Sequence, residues 1–228
     1  MATSPEAVRA HLGIVSAAAA AEISNAVAGV ALERQAEALA TATSLIVPGY
    51  FDAAGSLAVA WYDEIRDESN PVTSYVPQII GDPVTDWIER EAQKFATSLE
   101  ADLEAEMARL MDEFNRLAEK EVARGVRDTI TGNTADDVDA IGWSRVARPN
   151  ACKLCVMAAD RGAVYNRVTA FFSAHTDCHC AARPAFRNGE HGPEASVEQY
   201  LAAKKRRTAR ERAALRKYLN ENYPDSRG

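Results

Sequence analysis

The stretch Val84–Leu117, VTDWIEREAQKFATSLEADLEAEMARLMDEFNRL, sets the reading of everything around it. Its apolar residues Trp87, Ile88, Phe95, Leu99, Leu103, Met107, Leu110, Phe114 and Leu117 recur mostly at steps of three, four or seven. That spacing lays one stripe along a helix of about thirty to forty residues, with charge on the remaining faces. A stripe of this length needs an equally long apolar partner. It predicts a hairpin with helices earlier in the chain, or pairing with a helix of a second chain.

Upstream, Thr3-Ser4-Pro5-Glu6 reads as a helix start, with a hydroxyl cap, Pro in the first turn and Glu6 three positions after Thr3. The helix is expected to run to about Leu45, with Leu12, Val15, Ile23, Val27, Val30 and Leu32 spread among alanines, and Val47-Pro48-Gly49 is expected to end it. A second helix from Tyr50 to Asp67 carries Phe51, Leu57, Trp61 and Ile65 and stops at Ser69-Asn70-Pro71. Val72 to Ile80 reads as a connection, and Asp82-Pro83 restarts the helical pattern. Downstream, Gly132-Asn133 and the acidic Asp136-Asp137-Val138-Asp139 mark a boundary. Beyond it Gly142–Arg148, Ala163–Tyr165 and Cys180–Phe186 read as short strands, Cys152–Asp160 as a helix and Glu194–Leu219 as a helical tail. The expected fold is mostly α with a small α+β C-terminal module. It divides into a long, hairpin-like helical region (1–133), a Cys/His-clustered module (134–190) and a basic helical tail (191–228).

Composition agrees with this division. The chain has 228 residues, 47% of them hydrophobic but only 7% aromatic, and such alanine-rich, aromatic-poor cores favour helix over sheet. A net charge of −7 repels nucleic acid and acidic membrane from the surface as a whole, so any such contact needs a local basic patch. The weakly apolar run Leu12–Ala21 is too short to span a bilayer, and Glu6 spoils the basic start of a signal peptide; no membrane contact and a cytoplasmic setting are expected.

All four cysteines fall in one pattern: Cys152-x-x-Cys155, then nineteen intervening residues, then His175-x-x-Cys178-x-Cys180. A C-x-x-C turn can aim two sulfurs at one point, and thiolates suit a borderline-soft ion such as zinc. Five candidate ligands, Cys152, Cys155, His175, Cys178 and Cys180, compete for four positions, ranked as Cys152, Cys155 and His175 with one of Cys178 or Cys180. One structural zinc ion is the cofactor this predicts, with Arg148, Lys153 or Arg161 as candidate counter-charges. Packed inert thiols and disulfides are the competing readings. A thiol nucleophile, Cys155 or Cys178 with His175 as base, is a further one. No nucleophile elbow, P-loop, dinucleotide fingerprint or H-E-x-x-H motif is present.

The tail reverses the local charge. Lys204, Lys205, Arg206, Arg207, Arg210, Arg212, Arg216 and Lys217 stand against the single acid Glu211 within fourteen residues. This is a candidate contact for nucleic-acid phosphates or an acidic partner. A solvated helix end is the plainer alternative.

The segment Gly142-Trp143-Ser144-Arg145-Val146-Ala147-Arg148-Pro149-Asn150-Ala151-Cys152-Lys153-Leu154-Cys155, continuing through Asp160–Tyr165 to His175-Thr176-Asp177-Cys178-His179-Cys180, resembles the C-terminal module of tailed-phage head morphogenesis proteins, the MuF-like minor capsid proteins. The likeness is greatest to the group in phages of actinobacteria often labelled capsid maturation protease. Val47–Phe51 and Trp61-Tyr62 look similar to the same group. The resemblance implies a low-copy component of the virion head, assembled in the host cytoplasm against portal, scaffold or major capsid protein. It supplies no catalytic residues, and the protease label rests on gene order. A capsid maturation protease of those phages is therefore the alternative function, and a nucleic-acid-binding zinc module the third.

Overall fold

The computed structural model describes residues 4–97, 103–147, 151–163, 165, 172, 180–187 and 208–224. Among these the chain forms six helices, α1 (Pro5–Val27), α2 (Leu32–Glu68), α3 (Asp86–Thr97), α4 (Leu103–Asp136), α5 (Lys153–Asp160) and α6 (Ala209–Asn222), with strands β1 (Ala140–Val146) and β2 (Ala181–Phe186). The fold is mostly helical with one small antiparallel sheet, as the residue pattern implies.

Helices α1, α2 and α4 pack together and supply the core. Ser4 caps α1 by accepting from the Ala7 amide, and Pro5 stands in the first turn, where its missing N–H costs nothing. On α1 the stripe Val8, Leu12, Ala19, Ile23 and Val27 is buried. By length and hydropathy alone α1 could cross a bilayer, but here that stripe joins the two apolar clusters built with α2 and α4. One cluster holds Ile23, Leu39, Val47, Trp87, Ile88, Leu110 and Phe114; the other joins Leu12, Tyr62, Val126 and Ile130 to Trp143 and Phe186 of the sheet. A continuous apolar surface thus runs from the helices into the strands.

Two helix boundaries differ from the expectation. The first helix ends at Val27, because Gly29 turns the chain at a φ of +80° that side-chain-bearing residues rarely adopt. The second runs unbroken through Val47-Pro48-Gly49. Pro48 cannot bond the Ser44 carbonyl, but Ser44 is exposed, so the orphaned oxygen is not trapped in the core. Val47 and Phe51 on the opposite face are fully buried and hold the helix in register. The stop at Ser69-Asn70-Pro71 agrees with expectation, with Asn70 at a φ of 52°. The long stripe of 84–117 is shared between α3 and α4, and α4 continues through Gly132-Asn133 to Asp136.

Between α2 and α3 the connection lacks helix and strand, yet α4 side chains pin its backbone. The Gln78 amide donates to Asn133 Oδ1 at 2.9 Å while Asn133 Nδ2 donates back to the Gln78 carbonyl at 2.7 Å. Ile80 N–H donates to Thr129 Oγ1 at 3.2 Å, Val84 N–H to Glu121 Oε1 at 2.6 Å, and Arg124 donates to the Asp82 carbonyl. Helical spacing puts Glu121, Thr129 and Asn133 on one ridge of α4, which therefore serves this segment as a neighbouring strand would. Outward, the connection exposes Val72, Val76, Ile79 and Val84.

The two strands pair antiparallel, from Val146 opposite Ala181 to Ala140 opposite Phe186, with a bulge between Ala140 and Gly142. Both lie against α4. On the other edge of β1, Trp143 exchanges backbone bonds with Tyr165, at 2.7 and 3.3 Å.

Candidate functional site

The C-x-x-C sequence opens α5. Cys152 is its N-cap residue, with extended backbone and a carbonyl that accepts from the Cys155 and Val156 amides at 2.9 and 3.1 Å. This hydrogen-bonded turn gathers both residues at the N-terminal end of a short helix. The Cys152 side chain does not cap the helix. Cys152 is half-buried and Cys155 fully buried.

Cys180 arrives from the other side of the sequence, immediately before β2, and is buried in the same apolar cluster as Ala151 and Cys155. Cys152, Val156, Ala147 and Phe172 pack around that cluster. His175 and Cys178 lie outside the described residues, as do Lys204, Lys205, Arg206 and Arg207 of the tail. Among the described residues, no three His, Cys, Asp or Glu side chains are gathered closely enough to hold a metal ion by themselves.

A cation that sequence spacing did not single out dominates the site. Arg145, on β1 and only 8% exposed, donates from Nη1 to Cys155 Sγ at 3.5 Å. Its guanidinium lies 3.9 Å from the centroid of Phe172, and Arg127 of α4 approaches the same ring at 5.4 Å. Phe172 stacks in turn on Trp143, centroids 5.3 Å apart, and Trp143 on Tyr165 at 4.7 Å. Trp143 and Arg145 are two apart on one strand, so both project from the same face of β1. That alternation is the signal a reader of the sequence could have used. The aromatic stack shields the guanidinium from water, which strengthens its attraction to sulfur. Of the cations expected to serve here, Lys153 instead donates to Asn220 Oδ1 of α6 at 2.7 Å, and Arg148 lies outside the described residues.

Tight backbone packing holds β1 in place. A Cβ on Gly142 would lie 2.5 Å from the Tyr165 carbonyl oxygen, so only glycine fits there. Arg9 of α1 donates to the carbonyl of Ala147, tying the strand's end to the first helix. Tyr165 donates to the Ala158 carbonyl at 2.8 Å, fixing α5 to the edge of the sheet.

Arg210 and Arg212 are exposed on α6, a helix with no buried residue. It is held by its own capping box between Thr208 and Glu211 and by contacts to α5. Tyr223 bonds Asp160, and burial together with that bond pushes its hydroxyl pKa up to about 12.

Residues 2–206 match the family described as VG15 protein. The chain belongs to the VG15 family. VG15 is a phage viral-gene family, so this VG15 protein is phage-encoded, and the match runs through the helical core and the cysteine site alike. No curated protein and no solved structure matches the VG15 chain.

Proposed function

We propose that this VG15-family chain is a head morphogenesis protein of the MuF-like minor capsid type, a low-copy procapsid component that binds portal, scaffold or capsid shell. The observation that carries the reading is the family match over residues 2–206, which makes the protein a phage product, joined to the likeness of residues 142–186 to the MuF-like module. The surface supports an assembly role. Exposed apolar side chains at Val72, Val76 and Val84 stand on a backbone pinned to α4, and apolar surface presented on a fixed support suits docking against another protein. The basic residues of the tail are assigned to an acidic partner surface or to packaged nucleic acid.

An enzymatic role has less to build on. His11, the one histidine among the described residues, is exposed on α1, whereas Cys155 accepts from Arg145 and Cys152, Cys155 and Cys180 share a cluster with Phe172.

The test is quantitative mass spectrometry of purified procapsids and mature heads, with co-purification against portal, scaffold and major capsid protein. A few copies per head and retention by one of these proteins are expected. Absence from both particles, with no retention, would reject the reading. Trimming of scaffold or capsid protein on co-expression, abolished by Cys155→Ser, would transfer the assignment to the protease.

A further inference from the structure

We propose that the outer edge of the connection between α2 and α3 binds an extended segment of another protein of the phage particle by strand addition beside Ile79, and that this segment carries apolar side chains and basic residues. The proposal deepens the assembly reading and rests on it for the source of the partner.

Backbone geometry carries the first step. The Gln78 amide and carbonyl both bond the Asn133 side chain, and the Ile80 amide bonds Thr129 on the same helix. Groups two residues apart that face one side mark extended backbone, so the amide and carbonyl of Ile79 between them face away from α4. Among the described residues neither has a hydrogen-bond partner. The Ile79 side chain lies against Gly55 of α2 and that of Ile80 against Gly132 of α4, so the edge is seated on both long helices. An unpaired, extended edge is a template for a further strand. Because it is ordered before the partner arrives, less conformational freedom is lost on binding.

Side chains define what the added strand carries. Val72 and Val76 are 85% and 76% exposed, and Val84 is about half exposed. In a sheet, β-branched residues of this kind are covered by apolar side chains of the neighbouring strand. The charges at both ends are acidic. Exposed Asp67 and Glu68 close α2, exposed Asp82 precedes α3, and exposed Glu89 stands in its first turn. Nearby cations are matched within the chain: Arg66 by Asp137 and Asp139, Arg90 by Asp86, and Arg124 by Glu121 and Asp128. Arg187 stands with Asp139 in the wall of a small pocket beside Val72. A basic segment is therefore drawn to the edge, and an acidic one is repelled. Ile14 on α1 is also exposed and apolar, but helical bonds occupy the backbone there, which makes it the control.

The experiment uses the full chain with overlapping synthetic peptides that cover the portal, scaffold and major capsid proteins of the same phage, and reads binding by fluorescence anisotropy. At least one basic, apolar peptide should bind, more weakly as sodium chloride is raised. Val76→Asp should weaken that binding by about tenfold or more, Asp67→Asn combined with Asp82→Asn by roughly threefold, and Ile14→Asp should leave it unchanged. All four positions are exposed, so each variant should keep the native melting temperature. N-methylation of single peptide amides should block binding with a period of two, as a strand requires. A pattern without that period would overturn the proposal. So would the lack of any binding peptide, or binding that Val76→Asp leaves intact. Dimerisation of the chain alone, abolished by Val76→Asp, would place a second copy on the edge and reject the assignment as well. Any of these results with the native chain still present in heads rejects this proposal alone, whereas absence of the native chain from heads rejects the assembly reading itself.

Discussion

Arg66 reaches from α2 to Asp137, donating from Nε at 2.7 Å, and from Nη2 to the Thr73 carbonyl at 2.6 Å and Asp139 at 3.2 Å. Tyr62 adds a bond to Asp137 at 3.1 Å, and burial with that neighbouring carboxylate drives its hydroxyl pKa far upward. Desolvation works against the Arg66 charge, but the bonds and charges of Asp137 and Asp139 outweigh it, and its pKa rises. Removing one partner of a buried pair leaves the other uncompensated, so Arg66→Ala should cost about 3–5 kcal/mol in chemical denaturation, whereas a surface pair such as Arg90 with Asp86 should cost under about 1 kcal/mol. Asp139 gives a pH signature. Bonds from the Thr73 hydroxyl and amide, with Arg66 nearby, hold its pKa below the ordinary carboxylate value. A depressed carboxylate contributes its stability in full above the unfolded value near 4 and loses it as pH falls through the folded value. Acid titration of the melting temperature should therefore steepen below about pH 4, and Asp139→Asn should flatten that limb. None of this network was legible beforehand. Asp136–Asp139 reads as a polar boundary, and nothing in local spacing ties Asp137 to an arginine 71 positions earlier.

At the scale of elements, α2 and α4 come close together where Gly125 meets Phe51. A Cβ on Gly125 would lie 2.7 Å from the Phe51 carbonyl oxygen, a backbone atom that cannot move without moving α2. A Cβ on Gly132 would meet the Ile80 side chain, at 2.7 Å from Cδ1, 2.8 Å from Cγ2 and 3.2 Å from Cβ, but these are side-chain atoms on a surface connection, which can give where helix backbone cannot. Gly125→Ala should thus lower stability by about 1–3 kcal/mol despite the better helix propensity of alanine, and Gly132→Ala should cost distinctly less, as urea denaturation of the two variants would show. Helices and strands were largely legible, because their apolar spacing survives into the packed state. The errors fell where tertiary contact overrides a local signal. Pro48 is a helix breaker by its own chemistry, yet buried Val47 and Phe51 carry α2 through it. Gly29 breaks the first helix inside an alanine-rich run, where no cluster of turn residues announces a stop.

For the molecule as a whole, one apolar cluster joins α1, α2 and α4 to the sheet, while α6 adds no buried residue to it. Deleting residues 208–228 should therefore shift the melting temperature by no more than about 1–2 °C, measured against the full chain, and should abolish any salt-sensitive binding that Arg210 and Arg212 provide. Spacing alone pointed to Cys152, Cys155 and Cys180, which share one cluster, while His175 and Cys178 lie outside the described residues. The arginine beside Cys155 was not legible, because Arg145 and Phe172 come together through strand pairing and aromatic stacking that no short motif encodes.

The segment between α2 and α3 carries a different kind of consequence. Surface connections ordinarily absorb added or missing residues, since only their ends are fixed. Here Thr73, Gln78, Ile80 and Val84 are each bonded through the backbone to a particular side chain on the helix below or at its end. A gain or loss of one residue between them would turn the bonded amides outward and the exposed valines inward. Although it lies on the surface and lacks regular structure, this stretch has a fixed length, and natural or engineered indels belong elsewhere in the chain.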